Sequence, residues 1–261
     1  MQTFNLHHGT APLLISLPHD GTALPNDLVG RLTGDARKVP DTDWFVSRLY
    51  GFARSLGASI LWPVNSRYVV DLNRPPDDAS LYPGRNTTGL CPTSRFDGGP
   101  VYLEGHTPTP ADIAYRVDYY WRPYHQALAA ELHRKKLLHK RVLLWEGHSI
   151  RSRVPFLFEG TLPDLNLGTA DGTSCDAALQ SRLQRVLLEL PDYTEVTNGR
   201  FKGGYITRHY GQPDKGIDAV QLELAQSTYM DEATGKWDEV KALKLQAVLR
   251  KLLMAGLAYE H

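Results

Sequence analysis

Short apolar runs alternate with longer amphipathic stretches along this chain. Leu13-Leu14-Ile15-Ser16-Leu17 is an apolar run closed by Pro18 and reads as a buried strand. Asp41-Thr42-Asp43 offers N-cap oxygens, and Phe45, Leu49, Phe52, Ala53 and Leu56 follow at helical spacing up to Gly57, which predicts a helix there. Residues 59–62 and 68–72 read as the next strands. Residues 111–139 predict a long helix in which Pro123 imposes a kink or break near Arg122. Residues 141–145 and 219–224 are further strands, residues 177–190 are helical, and residues 236–257 form a closing amphipathic helix. Between strand and helix patterns, residues 74–100 are rich in Pro and Gly. Leu81, Tyr82, Leu90 and Phe96 give this long loop enough apolar content to pack down in an ordered form.

Strands alternating with helices predict an α/β fold, a three-layer α/β/α arrangement around a mixed, mostly parallel sheet. No repeat, low-complexity tract or linker divides the chain, so residues 1–261 are expected to form a single domain. In such sheets ligands collect at the carboxyl ends of the strands.

Composition removes several partners. The 261 residues carry 29 basic and 29 acidic side chains, and a nucleic-acid binder normally shows a basic surplus. Hydrophobic residues at 42% and charged ones at 22% exclude wholesale disorder. No run approaches the ~18–20 apolar residues that span a bilayer. The opening Met-Gln-Thr-Phe-Asn-Leu-His-His has neither the basic nor the apolar region of a signal peptide, and Cys91 and Cys175 lack C-x-x-C spacing, so a cytoplasmic protein is expected. Two cysteines are too few for a thiolate metal site. Ten histidines and abundant carboxylates leave imidazole and carboxylate as the plausible ligands.

The strand ends carry unusual residues. His19 follows the first predicted strand in Pro18-His19-Asp20-Gly21, and His148 follows the strand at 141–145 in Glu146-Gly147-His148-Ser149. Either histidine alone is explained by a hydrogen bond to its own loop, and Asp41 and Asp43 by capping. Two histidines on one sheet edge with a nearby carboxylate match a catalytic metal site with three protein ligands. Glu223, flanked by leucines in Gln221-Leu222-Glu223-Leu224, is costly to bury unless paired, metal-bound or catalytic, and a metal hydrolase needs a general base. Arg74, after Asn73, is a natural carboxylate clamp, with Arg67, Arg151, Arg153 and Arg208 as further candidates beside the bland reading of surface arginines. No G-x-S-x-G elbow, G-x-G-x-x-G or P-loop occurs, so neither a serine nucleophile of that kind nor a dinucleotide or NTP is indicated.

Read in order, Pro18-His19-Asp20-Gly21, Asp41-Thr42-Asp43, residues 66–76 from Ser66-Arg67-Tyr68 to Asn73-Arg74-Pro75-Pro76, Thr87-Thr88-Gly89-Leu90-Cys91-Pro92, Arg122-Pro123-Tyr124-His125, Gly147-His148-Ser149-Ile150-Arg151-Ser152, residues 202–211 around Thr207-Arg208-His209, and Gln221-Leu222-Glu223 closely resemble the N-formylglutamate amidohydrolase family, the deformylases of histidine degradation. The resemblance extends over residues 12–232. It implies a sheet similar to that of zinc carboxypeptidases and aspartoacylases, and hydrolysis of N-formyl-L-glutamate to formate and L-glutamate. It further implies one divalent metal ion, expected to be zinc, held by His19, Asp43 and His148, with Glu223 as general base. Asn73 and Arg74 become the substrate clamp, with Arg67, Arg208 and Arg151 as further binding residues. The expected partner is a small N-formyl amino acid, with neither nucleic acid nor membrane, and the expected state is a monomer or small homo-oligomer. Two alternatives stand beside this reading: a related metal amidohydrolase acting on another N-acyl amino acid, and a catalytically inactive binding protein on the same fold.

Overall fold

Strand β4 (Val142–Ile150) is buried along all nine of its residues, and it is the axis of the molecule. The computed structural model describes residues 2–80 and 87–259. Among them, β1 (Phe4–His7), β2 (Leu13–Ser16), β3 (Ser59–Pro63), β4, β5 (Leu165–Gly168), β6 (Glu195–Thr197) and β7 (Ile217–Ala225) form one sheet in the order β1-β3-β2-β4-β7-β5-β6. The central pairs β3/β2, β2/β4 and β4/β7 are parallel, whereas β1 joins β3 and β5 joins β7 antiparallel. This is the mixed, mostly parallel sheet of an α/β fold.

Side-chain parity builds the two outer layers. In β4 and β7, Leu143, Trp145, Val220, Leu222 and Leu224 point into a cluster closed by α5 (Ala177–Leu188) and α7 (Glu239–Leu257). Val142, Leu144 and Ala219 point the other way, against Tyr124, Leu128 and Leu132 of α4 (Arg122–Leu138). Parallel strands covered on both faces read as continuous apolar runs, and this is why β2 and the first half of β4 were legible.

Three expectations are corrected. Residues 68–72 form no strand. Their backbone is satisfied by turns and loop contacts, with Val69 N–H donating to Ser66 O and Asp71 N–H to Leu90 O. Tyr68 and Val69 fill one apolar cluster while Val70 and Leu72 fill another, so the run is apolar because it is buried, not because it is laddered. The helix foreseen after Asp41 is also different. Phe45 adopts the left-handed region at φ 62°, so only α2 (Val46–Leu49) and a 3-10 stretch (Gly51–Leu56) follow, ending at Gly57 as expected. Asp20, from a distant turn, accepts the Ser47 N–H at 2.8 Å, which leaves Asp41 and Asp43 to other partners. Finally, Lys236–Trp237 pairs with Met230–Asp231 as a small ribbon (β9 and β8), and α7 begins after its cap Asp238.

The proline break falls where it was expected. α3 (Pro110–Arg116) runs into a π-helical turn at Val117–Trp121 just before Pro123, a wider turn that absorbs the missing N–H before α4 resumes. α1 (Asn26–Val29) and α6 (Tyr205–Tyr210) are short. Within the 74–100 loop, Leu90 is buried in the α4-side cluster and Phe96 packs in an apolar rim, while Leu81 and Tyr82 lie outside the described residues. None of the described helices is long and apolar enough to cross a membrane.

Candidate metal centre and cavity

The second half of β4 outruns β2, whose last residue, Ser16, pairs with Glu146. On this overhang the α4-facing positions change from Val142 and Leu144 to Glu146 and His148. The same parity in β7 changes from Ala219 to Gln221 and Glu223. The register sets Glu146 opposite Gln221 and His148 opposite Glu223, so polar side chains gather where the helix cover ends. His148 is therefore inside the strand, not beyond it as the apolar run alone implied.

Three segments converge on His148. His19 stands on the turn after β2, and its backbone carbonyl accepts the Asp43 N–H at 3.1 Å, which draws the two segments together. Asp43 Oδ2 lies 2.9 Å from Nδ1 of His148 and 3.7 Å from Nδ1 of His19, and it accepts the Ser149 N–H at 3.1 Å. One donor atom from each of His19, Asp43 and His148 falls within 4.8 Å of the others. The far ring nitrogens are held by carboxylates: Nε2 of His19 is 2.7 Å from Asp71 Oδ1, and Nε2 of His148 is 2.7 Å from Glu146 Oε1. Fixing Nε2 in this way turns both Nδ1 atoms toward Asp43, the arrangement that orients imidazoles for a metal.

The chemistry of the cluster fits a divalent cation. Asp43, Asp71, Glu146 and Glu223 are all buried, against the single guanidinium of Arg67 buried among them. Burial is the largest single influence on Asp43 and Asp71 and opposes their ionisation, yet His19 and His148 together at Asp43, and His19, Arg67 and Arg74 together at Asp71, outweigh it, so both carboxyls lie below their usual range. Burial also opposes a charge on His148, but Glu146 and Asp43 raise its basicity well above normal. A field that draws a proton so strongly also draws a metal cation. Glu223 differs: burial, with Asp43 adding to it, pushes its carboxyl up to about 8.

A cavity of about 80 Å³ opens on this cluster, lined by His19, Asp43, His148 and Glu223 and by Arg67, Arg74 and Arg200. Arg67 is tied to Asp71 Oδ2 at 2.7 Å, stands 3.8 Å from Asp43 Oδ1, and stacks over Phe96; its Nε is buried without a hydrogen-bond partner among the described residues. Arg74 donates to the carbonyls of Thr88 at 2.8 Å and Asn73 at 3.2 Å. Asn73 lines the cavity too, but it is engaged in scaffolding: Oδ1 accepts the Ile206 N–H, and Nδ2 lies 3.1 Å from His148 Nε2. Gly204 packs so closely here that a β-carbon would sit 2.2 Å from Asn73 Nδ2, a close approach only glycine permits.

Two expected residues are elsewhere. Arg208 is exposed, donates through Nε to Gly203 O, and does not line the cavity. Arg151 lines a neighbouring outer cavity of about 400 Å³, which shares Phe96, Ser149 and Ile150 with the inner one. Arg200, which sequence reasoning passed over, reaches the inner cavity. It follows β6, a three-residue strand without a strong apolar signal, so nothing local marked it.

The comparisons agree with this geometry. A family model described as N-formylglutamate amidohydrolase matches residues 11–230. The N-formylglutamate deformylases of Pseudomonas putida and Pseudomonas aeruginosa are each 51% identical over 259 residues, covering 99% of this chain and 97% of theirs. The crystal structure of N-formylglutamate amidohydrolase from Ralstonia eutropha JMP134 superposes with a TM-score of 0.84 at 28% identity, covering 99% of this chain and 98% of that one. A gene product of Agrobacterium tumefaciens, at 16% identity and a TM-score of 0.74, covering 98% of this chain and 94% of its own, shares the fold. With its sheet, its His-Asp-His cluster and these relatives in agreement, the chain belongs to the N-formylglutamate amidohydrolase family.

Proposed function

We propose that this protein hydrolyses N-formyl-L-glutamate to formate and L-glutamate, as the last step of a histidine degradation route. The observation that carries the reading is the position of Glu223: buried, one strand across from His148, in a cavity walled by guanidinium groups. The deformylase relatives supply the substrate.

His19, Asp43 and His148 would hold a divalent cation, and imidazole with carboxylate suits zinc. Such a cation supplies Lewis acidity at the scissile carbonyl. The remaining work belongs to the chain. Glu223 takes a proton as water adds to the formyl carbon, and returns it to the nitrogen as the C–N bond breaks. Gln221, whose Nε2 lies 3.5 Å from Glu223 Oε2, steadies the carboxylate from the same strand face. Arg74 holds a substrate carboxylate, and Arg67, tied to Asp71, offsets negative charge on the cavity wall.

Formate release from N-formyl-L-glutamate, measured with and without chelator, tests the reading. Glu223→Gln should lower turnover by roughly 10²–10⁴-fold while bound metal is retained. Near-normal turnover in that variant, or full activity after chelation with no metal left, overturns it.

A further inference from the structure

We propose that Trp121 and His125, where the π-helical turn meets α4, are positioning residues that hold the Leu72–Arg74 segment and thereby set Arg74 for the substrate carboxylate. The inference rests on the proposed deformylase activity and goes beyond it to the residues that fix the binding arginine in place.

Leu72, Asn73 and Arg74 lie outside every strand, so no ladder satisfies their carbonyls. Helix residues do so instead. His125 Nε2 donates to the Leu72 carbonyl at 2.9 Å, and the indole Nε1 of Trp121 donates to the Arg74 carbonyl at 2.9 Å. Between them, the Tyr205 N–H at the start of α6 reaches the Asn73 carbonyl at 3.4 Å. Two helices thus grip one short segment. Asn73 is also pinned separately, its Oδ1 accepting the Ile206 N–H at 2.9 Å and its own N–H donating to Asp71 Oδ1 at 2.8 Å. The residue that touches His148 is therefore held without Trp121, whereas Trp121 acts on Arg74 itself.

Trp121 and His125 are four residues apart and share a helix face, where both are buried and their rings stack with an interplanar angle of 22°. The π-helical turn Val117–Trp121 widens the helix just ahead of the pair, and such turns recur at functional sites. Because a carbonyl only accepts, Nε2 of His125 carries the proton. In the neutral ring that burial favours, Nδ1 is left to accept from the Tyr210 hydroxyl at 3.0 Å. The imidazole is tied at both nitrogens and backs the indole. Pro75 disfavours the helical region for Arg74, whose side chain donates to the carbonyls of Thr88 and Asn73 where it lines the cavity. Backbone and guanidinium of this arginine are both fixed, and a ~1 Å shift of a substrate-positioning group can cost ~10²-fold.

The test is a double-mutant cycle on N-formyl-L-glutamate hydrolysis with Trp121→Phe, which keeps a stacking ring and removes the N–H, and Arg74→Met. Trp121→Phe should raise KM roughly 5–30-fold with kcat within about threefold, because a displaced Arg74 loses binding common to ground and transition states. In the Arg74→Met background the same change should lower kcat/KM by less than about twofold. His125→Phe should move KM in the same direction, with partial recovery in His125→Gln, whose amide still donates. Divalent-cation affinity should stay at the wild-type value in Trp121→Phe. A lower melting temperature with KM unmoved would mean that Trp121 only supports the fold. Equal losses with and without Arg74, or weakened cation binding, would mean that it acts by another route. Each of these results overturns the assignment. A wild-type protein that releases no formate overturns the deformylase reading itself, and this assignment with it.

Discussion

Glu146 Oε1 stands 2.7 Å from Nε2 of His148, and its other oxygen accepts both the backbone N–H and the hydroxyl of Thr207. A single carboxylate thus ties the imidazole of β4 to the short helix α6. Glu146→Gln keeps the shape and removes the charge. It should weaken divalent-cation binding roughly 10–100-fold, the usual cost of losing such a partner, and Thr207→Val should act in the same direction with a smaller effect. Competition with a chromophoric chelator measures this; unaltered affinity in Glu146→Gln would show that His148 needs no such support.

Gly147 sits between Glu146 and His148, with its missing side chain facing the opposite layer. A β-carbon there would lie 2.7 Å from Leu17 Cδ2 and 2.9 Å from Tyr50 Cε2. Gly147→Ala should destabilise the protein by about 1–3 kcal/mol through overpacking, read as a lower urea midpoint at constant m. A loss below about 0.5 kcal/mol would mean that Leu17 and Tyr50 give way freely.

His125 is buried, stacked on Trp121 with centroids 3.7 Å apart, and bonded to the Leu72 carbonyl at 2.9 Å and the Tyr210 hydroxyl at 3.0 Å. Burial pushes its pKa down to about 3, against an ordinary value of 6.5. The unfolded chain therefore binds more protons between those values, and stability should fall as pH drops from 6.5 toward 3. In His125→Gln this contribution is missing, so the stability difference from the wild type should narrow over that window. A difference that stays constant with pH contradicts a neutral buried His125.

At the opposite end of the parallel strands, Glu131 accepts the Ser59 hydroxyl at 2.5 Å and Arg134 Nη2 at 2.6 Å, and its other oxygen lies 2.9 Å from His8 Nδ1. Glu131→Ala strands these donors and should cost about 2–4 kcal/mol in chemical denaturation. KM for the formyl substrate should not move, because the cluster is remote from the cavity; a raised KM would reveal coupling between the two ends of the sheet.

The sequence was most informative where one physical cause acts alone. Buried parallel strands must be apolar on both faces, so Leu13 to Leu17 and Val142 to Trp145 declared themselves, and the polar break after each pointed to His19 and His148. Glu223 was legible for the same reason, as a carboxylate set among leucines. Residues 68–72 misled because burial writes the same apolar signature on a loop as on a strand. The helix expected at Asp41 failed because Phe45 takes a backbone conformation that bulky residues rarely adopt, and the Ser47 N–H in the first turn is capped by Asp20 from another turn. Arg200 lines the cavity and Arg208 does not, for a related reason: which of two nearby arginines enters a cavity depends on a loop path that no local pattern encodes.

The parity of β4 has one more consequence. Sliding that strand by one residue against β7 would carry Glu146 and His148 into the leucine-rich layer of α5 and α7, and Trp145 into the polar cavity. Every such misaligned sheet would contain bare charges in an apolar interior. His148, proposed to bind the cation, and its partner Glu146 therefore discriminate against wrong pairings as the protein folds, and a variant that strips both out should tolerate register errors that the native chain rejects.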